Sequence, residues 1–192
     1  MTADRACAET AGPNPPSDAV LIGADGALQN VFVYVKDGLD PADSFDVPAT
    51  PVVQEQRGCR YVPRTLGVRA GQPLEFLNGD DTLHNVHALP MTNQDFNLGL
   101  PKKGDTRTRT FTVPEVMVRF KCDVHPWMAG YVGVMAHPFF AVTDESGAFT
   151  IKGLPPGRYT IEAWHERFGT RTATVTIDPS GAEISSFSFA AK

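Results

Sequence analysis

Three side chains that favour soft metal ions lie close together in one short segment of the sequence. Cys122, His125 and Met128 occupy the segment CDVHPWM and offer a thiolate, an imidazole and a thioether. Soft sulfur ligands combined with imidazole favour copper, including Cu(I). A turn between two strands can fold all three side chains around one ion. The segment therefore predicts a copper site that takes a fourth ligand from elsewhere in the chain.

The distant ligand is predicted in the segment LHNVH at residues 83–87. Either His84 or His87 would complete a His₂Cys set with Met128 as a weak axial ligand, the set typical of electron-transfer copper sites. A single cysteine in a strand usually belongs to the core. Cys122 is different, because a histidine and a methionine follow it at ligand spacing. A ligating Cys122 would be ionised by the metal itself.

The composition excludes several classes of protein. The 192 residues carry 17 Lys and Arg against 22 Asp and Glu, a net charge of −5, so no nucleic-acid partner is expected. No apolar run approaches the roughly 18 residues of a membrane span, which predicts a soluble chain. Gly and Pro are spread among apolar stretches, and this pattern of many turns between short strands predicts an all-β fold.

The cysteines indicate an oxidising compartment. Cys7, Cys59 and Cys122 share no CxxC spacing, which excludes a zinc ribbon, and their odd number favours one bridge plus one working thiol. We expect a Cys7–Cys59 disulfide, which would join the Pro-rich N-terminal arm to the body and contribute about 4 kcal/mol in the chain-entropy model. Two unpaired thiols in a cytosolic protein are the alternative.

The start of the chain also bears on its compartment. It carries no basic and apolar signal region, so a periplasmic or extracellular protein would have lost its signal. Because the expected disulfide indicates an oxidising compartment, we expect a periplasmic or extracellular protein whose signal has been removed.

The strand pattern changes along the chain. Residues 28–36 form a strong strand candidate with alternating valines and aromatic residues. Residues 79–105 are expected to be mostly loop. From residue 137 onwards, strands separated by an Asp-Glu-Ser-Gly turn and a Pro-Pro-Gly turn predict a small β-sandwich, to which residues 28–36 could add a strand. The other strand candidates are residues 51–56, 65–69, 73–78, 106–113, 116–121 and 130–136.

The segment TDESGAFTIKGLPPGRYTIEAW, residues 143–164, resembles the carboxypeptidase regulatory-like, or transthyretin-like, sandwich. In that family a strand similar to LQNVFVYVK precedes this segment by a short connection, whereas a long stretch intervenes here. The resemblance implies a discontinuous sandwich, interrupted by a second β domain at residues 50–136. Residues 1–49 would supply its arm and first strand, and residues 137–192 the remainder. Two consecutive domains are the alternative.

The C-x₂-H-x₂-M loop and the HNVH segment resemble the amicyanin and plastocyanin group of cupredoxins, the type 1 copper proteins. The resemblance covers about residues 51–136 and implies a Greek-key β-sandwich or barrel packed on the smaller sandwich. Asn85 would tie the two ligand loops together by hydrogen bonds. Leu83 departs from the pattern, because relatives often carry proline before the first ligand. The implied copper ligands are His84, Cys122, His125 and Met128.

Four further side chains each have two possible roles. Trp127 is either core packing or part of an apolar rim through which electrons enter beside His125. His87 is either a surface neighbour or an alternative ligand. His137 and His165 are either hydrogen-bonded histidines where the domains meet or ligands of a second metal. No spacing decides between the two, and a second metal is not predicted.

The predicted site favours an electron carrier over an enzyme. A His₂Cys site with a weak axial ligand changes oxidation state with little rearrangement and leaves no open position for substrate. The expected partner is a redox protein, such as a c-type cytochrome or a periplasmic oxidoreductase, docking transiently near His125.

Other copper functions remain as alternatives. The main one is a copper-binding module for delivery, storage or sensing, with the sandwich as its docking domain. An oxidase or reductase would need a second copper centre. A dinuclear copper A site would need two cysteines in the ligand loop, which contains only Cys122.

Overall fold

The computed structural model describes residues 5–12, 17–179 and 186–190. The chain divides into two compact units. The first unit comprises the described residues of Met1–Ser17 and Asp46–Ala136, and the second unit comprises those of Asp18–Phe45 and His137–Lys192. Strands are the main regular secondary structure of both units, which confirms the predicted all-β class.

The helices and strands have the following bounds. The helices are α1 (Arg5–Ala11) and a 3₁₀ turn (Ala24–Gly26). The strands are β1 (Phe32–Asp37), β2 (Val52–Gln56), β3 (Tyr61–Val62), β4 (Thr65–Arg69), β5 (Pro73–Asn78), β6 (His84–Leu89), β7 (Phe96–Leu100), β8 (Thr106–Thr110), β9 (Glu115–Lys121), β10 (Ala129–Met135), β11 (Phe140–Val142), β12 (Gly157–His165) and β13 (Gly169–Ile177).

The first unit is a sandwich of two sheets. One sheet has the strand order β4-β10-β9-β6-β7, and the other has the order β3-β2-β5-β8. Along β5, Leu74 and Phe76 are buried while their neighbours are partly exposed, as expected for a strand with one face on a core. Phe76 meets Phe120 of β9 edge to face, with 5.2 Å between ring centroids. The core therefore lies between the sheets, and within the described residues they do not close into a barrel.

Part of the region expected to be loop forms strands. Residues 79–105 contain β6 and β7, which pair in antiparallel register. In β6, buried His84 and Asn85 precede buried Val86, so polar side chains interrupt the apolar alternation by which a strand is recognised in sequence. In β7 the apolar residues Phe96, Leu98 and Leu100 do alternate with exposed residues, so this short strand could have been recognised from the sequence.

The second unit contains one sheet, in the order β11-β1-β12-β13. Strand β1 lies between β11 and β12, with Val33 opposite Ala141 on one side and Ala163 on the other. It begins at Phe32, later than the predicted residue 28, because Leu28 makes only an isolated bridge to Ile22. The strand predicted directly after the Asp-Glu-Ser-Gly turn does not form.

The N-terminal segment is held on the first unit by a covalent bond. Cys7 in α1 forms a disulfide with Cys59, which confirms the predicted pairing, and Cys122 is free. The seven-residue α1 was not predicted, since so short a helix depends on tertiary contacts. None of the helices in the described part of the chain is long and apolar enough to cross a membrane.

Candidate metal centre

Two neighbouring strands bring the predicted ligands to one end of a sheet. Strand β6 begins at His84, and β9 ends at Lys121, one residue before Cys122. The strands pair antiparallel with His87 opposite Lys121, so the start of β6 and the end of β9 lie at the same sheet edge. His125 follows in the loop that leads from β9 to β10.

His84, Cys122 and His125 converge on a single point. The Nδ1 atoms of the two imidazoles lie 3.0 Å apart, and Cys122 Sγ lies 3.7 Å from His125 Nδ1. All three side chains are at most 2% exposed. Donor atoms held about 2 Å from one ion lie roughly 3–4 Å apart in trigonal or tetrahedral geometry. The donor set therefore fits one metal ion that prefers nitrogen and sulfur.

Met128 lies in the same closed loop. Its backbone N–H donates to the His125 carbonyl over 2.9 Å, and its carbonyl accepts from the Cys122 N–H over 3.3 Å. The side chain is 1% exposed. These bonds place Met128 beside the cluster, while its role as an axial ligand stays a prediction.

The surroundings of Cys122 favour its thiolate. Burial raises the pKa of the thiol, but hydrogen bonds with His125, His84 and the backbone of Asn85 outweigh burial and lower the pKa to about 6. A cysteine ligates metals as the thiolate. These hydrogen bonds therefore favour the form of Cys122 that a metal ion would bind.

Asn85 connects the two ligand loops. Its Oδ1 accepts the backbone N–H of Asp123 over 2.7 Å and lies 3.3 Å from Cys122 Sγ. Its Nδ2 donates to Asp123 Oδ2 over 3.0 Å and to Asn97 Oδ1 over 2.6 Å. These bonds fix the start of β6 against the segment that carries Cys122.

Asp80 is a contributor that sequence reasoning missed. Its Oδ2 lies 2.9 Å from His84 Nε2, and its carboxylate also accepts the backbone N–H groups of Gly58 and Cys59 over 2.8 Å each. Donation from Nε2 of His84 to Asp80 would leave Nδ1 free, which is the tautomer that a metal bound at Nδ1 requires. The sequence does show an acidic residue four positions before His84. However, Asp81 follows directly, and the sequence does not indicate which of the two contacts the histidine.

The outer edge of His125 is covered. Its Nε2 lies 3.4 Å from Cys7 Sγ, and its ring centroid lies 5.2 Å from that of Trp127. The Nε1–H of Trp127 donates to the carbonyl of Cys59 over 3.1 Å. The disulfide was predicted from the cysteine count, but nothing in the sequence indicated that it lies against a predicted ligand histidine.

His87 does not join the cluster. It lies on the other face of β6 from His84, with Nδ1 3.0 Å from Asp123 Oδ2. Asp123 also accepts from Lys121 over 2.8 Å, and this bond is the main cause of its lowered pKa. His87 therefore takes part in a polar surface network beside the candidate metal centre.

The remaining histidines lie in the second unit and make local hydrogen bonds. His137 Nε2 lies 2.9 Å from the carbonyl of Val35. The buried His165 accepts the backbone N–H of Arg167 at Nδ1 over 3.2 Å and stacks on Phe168. Neither belongs to a group of metal-binding side chains among the described residues.

Most of the second unit resembles one known protein family. Residues 134–189 match the family model of the carboxypeptidase regulatory-like domain, which confirms the resemblance drawn from residues 143–164. No curated protein matches the chain.

Solved structures similar to the chain include proteins that bind copper. The Cu-containing nitrite reductase of Thermus scotoductus SA-01 is 26% identical with a TM-score of 0.39; the match covers 50% of this chain and 27% of that enzyme. This chain thus spans about a quarter of the length of the reductase. A purple cupredoxin from Nitrosopumilus maritimus is 22% identical over 47% of this chain and 100% of its own, with a TM-score of 0.38. An oxidised amicyanin variant is 27% identical over 51% and 98%, with a TM-score of 0.40.

Proposed function

We propose that the first unit binds one copper ion through His84, Cys122 and His125, with Met128 as a weak axial ligand, and that it carries single electrons. The observation that carries this proposal is the convergence of two imidazole Nδ1 atoms and one thiol sulfur in a buried cluster. Thiolate and imidazole together select copper over hard cations.

The burial of the ligands favours electron transfer over catalysis. His84, Cys122 and His125 are enclosed by protein, so a substrate would find no free coordination position. Fixed ligands reduce the rearrangement that accompanies a change of oxidation state. A carrier needs no more than this site and a surface on which a partner docks briefly.

An apolar rim beside the ligands suits such docking. Leu83 and Val124 each precede a ligand histidine and are 45% and 43% exposed. Exposed apolar side chains beside a site can take part in a small, transient interface. We propose that a redox protein approaches the metal over this rim. The disulfide supports an oxidising compartment, and we place the protein in the periplasm or outside the cell.

The test is the visible absorption and electron paramagnetic resonance spectrum of the full chain before and after one equivalent of Cu(II). The proposal predicts an intense thiolate-to-copper band and a narrow copper hyperfine splitting. Cys122→Ser should lose the band, because Cys122 is the free thiol of the described chain. The paired variant Met91→Gln changes a 97% exposed methionine and should leave the spectrum unchanged.

Two other results would change the conclusion. A colourless protein that binds Cu(I) tightly and exchanges it readily would favour copper delivery or storage. Binding of zinc without copper would overturn the proposal.

A further inference from the structure

The N-terminal segment covers the outer nitrogen of His125. Cys7 lies in α1 and is fully buried, with its Sγ 3.4 Å from His125 Nε2. His125 itself is only 2% exposed. A segment far from the ligands in sequence therefore separates the ligand imidazole from solvent.

The disulfide is the strongest link between this segment and the unit. Among the α1 side chains that the structure describes, Cys7 is the buried one, while Arg5 and Glu9 pair with each other in solvent. An exposed pair of this kind contributes little to stability. A helix of seven residues is unstable by itself, so α1 relies on its attachment through Cys7.

The two ends of the disulfide are held differently. The backbone N–H of Cys59 donates to Asp80, and the Cys59 carbonyl accepts from Trp127. Both backbone polar groups of Cys59, the N–H and the carbonyl, are thereby hydrogen-bonded to side chains of the first unit. If the sulfur–sulfur bond opened, Cys59 would stay in place and the Cys7 side would move.

We propose that the Cys7–Cys59 disulfide is a redox-controlled lid on His125. Oxidised, it holds α1 over Nε2; reduced, it releases α1 and exposes the imidazole edge. The reductant is a dithiol: two electrons and two protons pass to the bridge, its S–S bond breaks, two cysteine thiols form, and the dithiol becomes a disulfide. Because both sulfurs are buried, the exchange proceeds through local opening of the N-terminal segment.

The lid would control what reaches the metal centre. With α1 in place, a redox partner meets the apolar rim but not the His125 edge. With α1 released, partner and solvent reach a ligand imidazole directly, which speeds electron exchange and metal exchange. This consequence rests on the proposed function, whereas the lid itself can be tested whichever metal the site takes.

The test measures the accessibility of each histidine. Diethyl pyrocarbonate acylates exposed imidazole nitrogens, and peptide mass spectrometry locates each modified residue. The full-length metal-free protein is compared as wild type and as the Cys7→Ser/Cys59→Ser double variant. His87 is partly exposed, so its modification shows that the reagent is active. His84 is fully buried, so its protection shows that the fold is intact.

We expect His125 to react about tenfold faster or more in the double variant, with His84 still protected, since a tethered terminal segment opens more readily than the core. Equal protection of His125 in both proteins would overturn the lid. Reaction of His84 together with His125 would overturn it too, because the bridge would then support the whole unit.

A second measurement tests the lid without the double serine variant, in case those substitutions prevent folding. Wild-type protein is reduced with dithiothreitol and followed by hydrogen exchange in α1, in residues 122–128 and in β10. The lid predicts faster exchange in the first two segments alone, and uniform exchange changes would contradict it. A failed copper spectrum with a positive accessibility result would remove the copper function and leave the lid.

Discussion

Asp80 Oδ2 lies 2.9 Å from Nε2 of His84, and the same carboxylate accepts the N–H groups of Gly58 and Cys59. One side chain therefore sets the tautomer of a proposed metal ligand and fixes the loop that carries the disulfide. With Cys7 against Nε2 of His125, the outer nitrogens of both imidazoles face the disulfide region.

Replacing Asp80 should weaken metal binding without removing a ligand. Asp80→Asn keeps the size of the side chain but removes the charge and one acceptor oxygen. Loss of such a hydrogen-bonded partner commonly lowers metal affinity by about 10–100-fold. Competition with a chelator of known affinity measures the change.

The control is Asp81→Asn, which makes the same change on the exposed neighbouring residue. Its affinity should stay close to that of wild type. Equal affinities for all three proteins would show that Asp80 does not position His84.

The ligand loop could be read from the sequence because its chemistry is local. Cys122, His125 and Met128 follow one another at ligand spacing, so no tertiary information is needed to group them. The strand β1 could be recognised from its alternating valines and aromatic residues. Its partners β11 and β12 follow only after the whole first unit and were indicated by the family resemblance instead.

The remaining features depend on contacts that no local pattern reveals. Strand β6 was missed because His84 and Asn85 occupy buried positions that an apolar alternation would fill. Asp80 lies beside Asp81, and only the fold distinguishes them. The cysteine count predicts a bridge, but the position of Cys7 against His125 follows from packing.

Met128→Gln should keep the copper site and lower its reduction potential. An amide oxygen is a harder donor than a thioether and favours Cu(II) over Cu(I). A tenfold change in the ratio of the two affinities corresponds to about 59 mV for one electron. Spectroscopic redox titration measures the shift, with the exposed Met91→Gln as control. A potential equal to that of wild type would remove Met128 from the ligand set.

Glu115 should make the stability of the first unit depend on pH. Burial raises the pKa of its carboxyl, but several hydrogen bonds outweigh burial and lower the pKa. They come from the backbone of Met91, the side chain and backbone of Asn93 and the backbone of Thr92. Because the pKa is lower in the folded protein, the folded state binds this proton less readily than the unfolded chain does. The stabilisation is present above the ordinary glutamate pKa and is lost as the pH falls through the lowered pKa of the folded state.

Glu115→Gln should therefore cost about 1–3 kcal/mol at neutral pH and reduce the loss of stability in acid. Urea unfolding followed by Trp127 fluorescence measures this in a Trp164→Phe background, since the two tryptophans lie in different units. Glu75→Gln on β5 is the control. If Glu115→Gln and wild type lose stability equally in acid, the carboxylate is not the responsible group.

Tyr34→Phe should destabilise the second unit, because it removes a hydrogen-bond donor from a buried carboxylate. The Tyr34 hydroxyl donates to Glu162 Oε1 on the neighbouring strand, and Lys36 donates to Oε2. Burial chiefly, and then the bond to Glu162, raises the pKa of Tyr34, so the hydroxyl remains a donor throughout the physiological range. Glu162 is 7% exposed, so a lost donor is poorly replaced by water, and the expected cost is about 1–3 kcal/mol.

Hydrogen exchange of the β1 and β12 amides measures this loss within the second unit. Tyr159→Phe is the matched control, because its hydroxyl donates to the neutral carbonyl of Pro155 over 2.9 Å. A bond to a charged acceptor is worth more than one to a neutral acceptor, so Tyr34→Phe should accelerate exchange more than Tyr159→Phe. The reverse order would mean that Lys36 alone satisfies Glu162, and that the tyrosine contributes only its ring to the sheet.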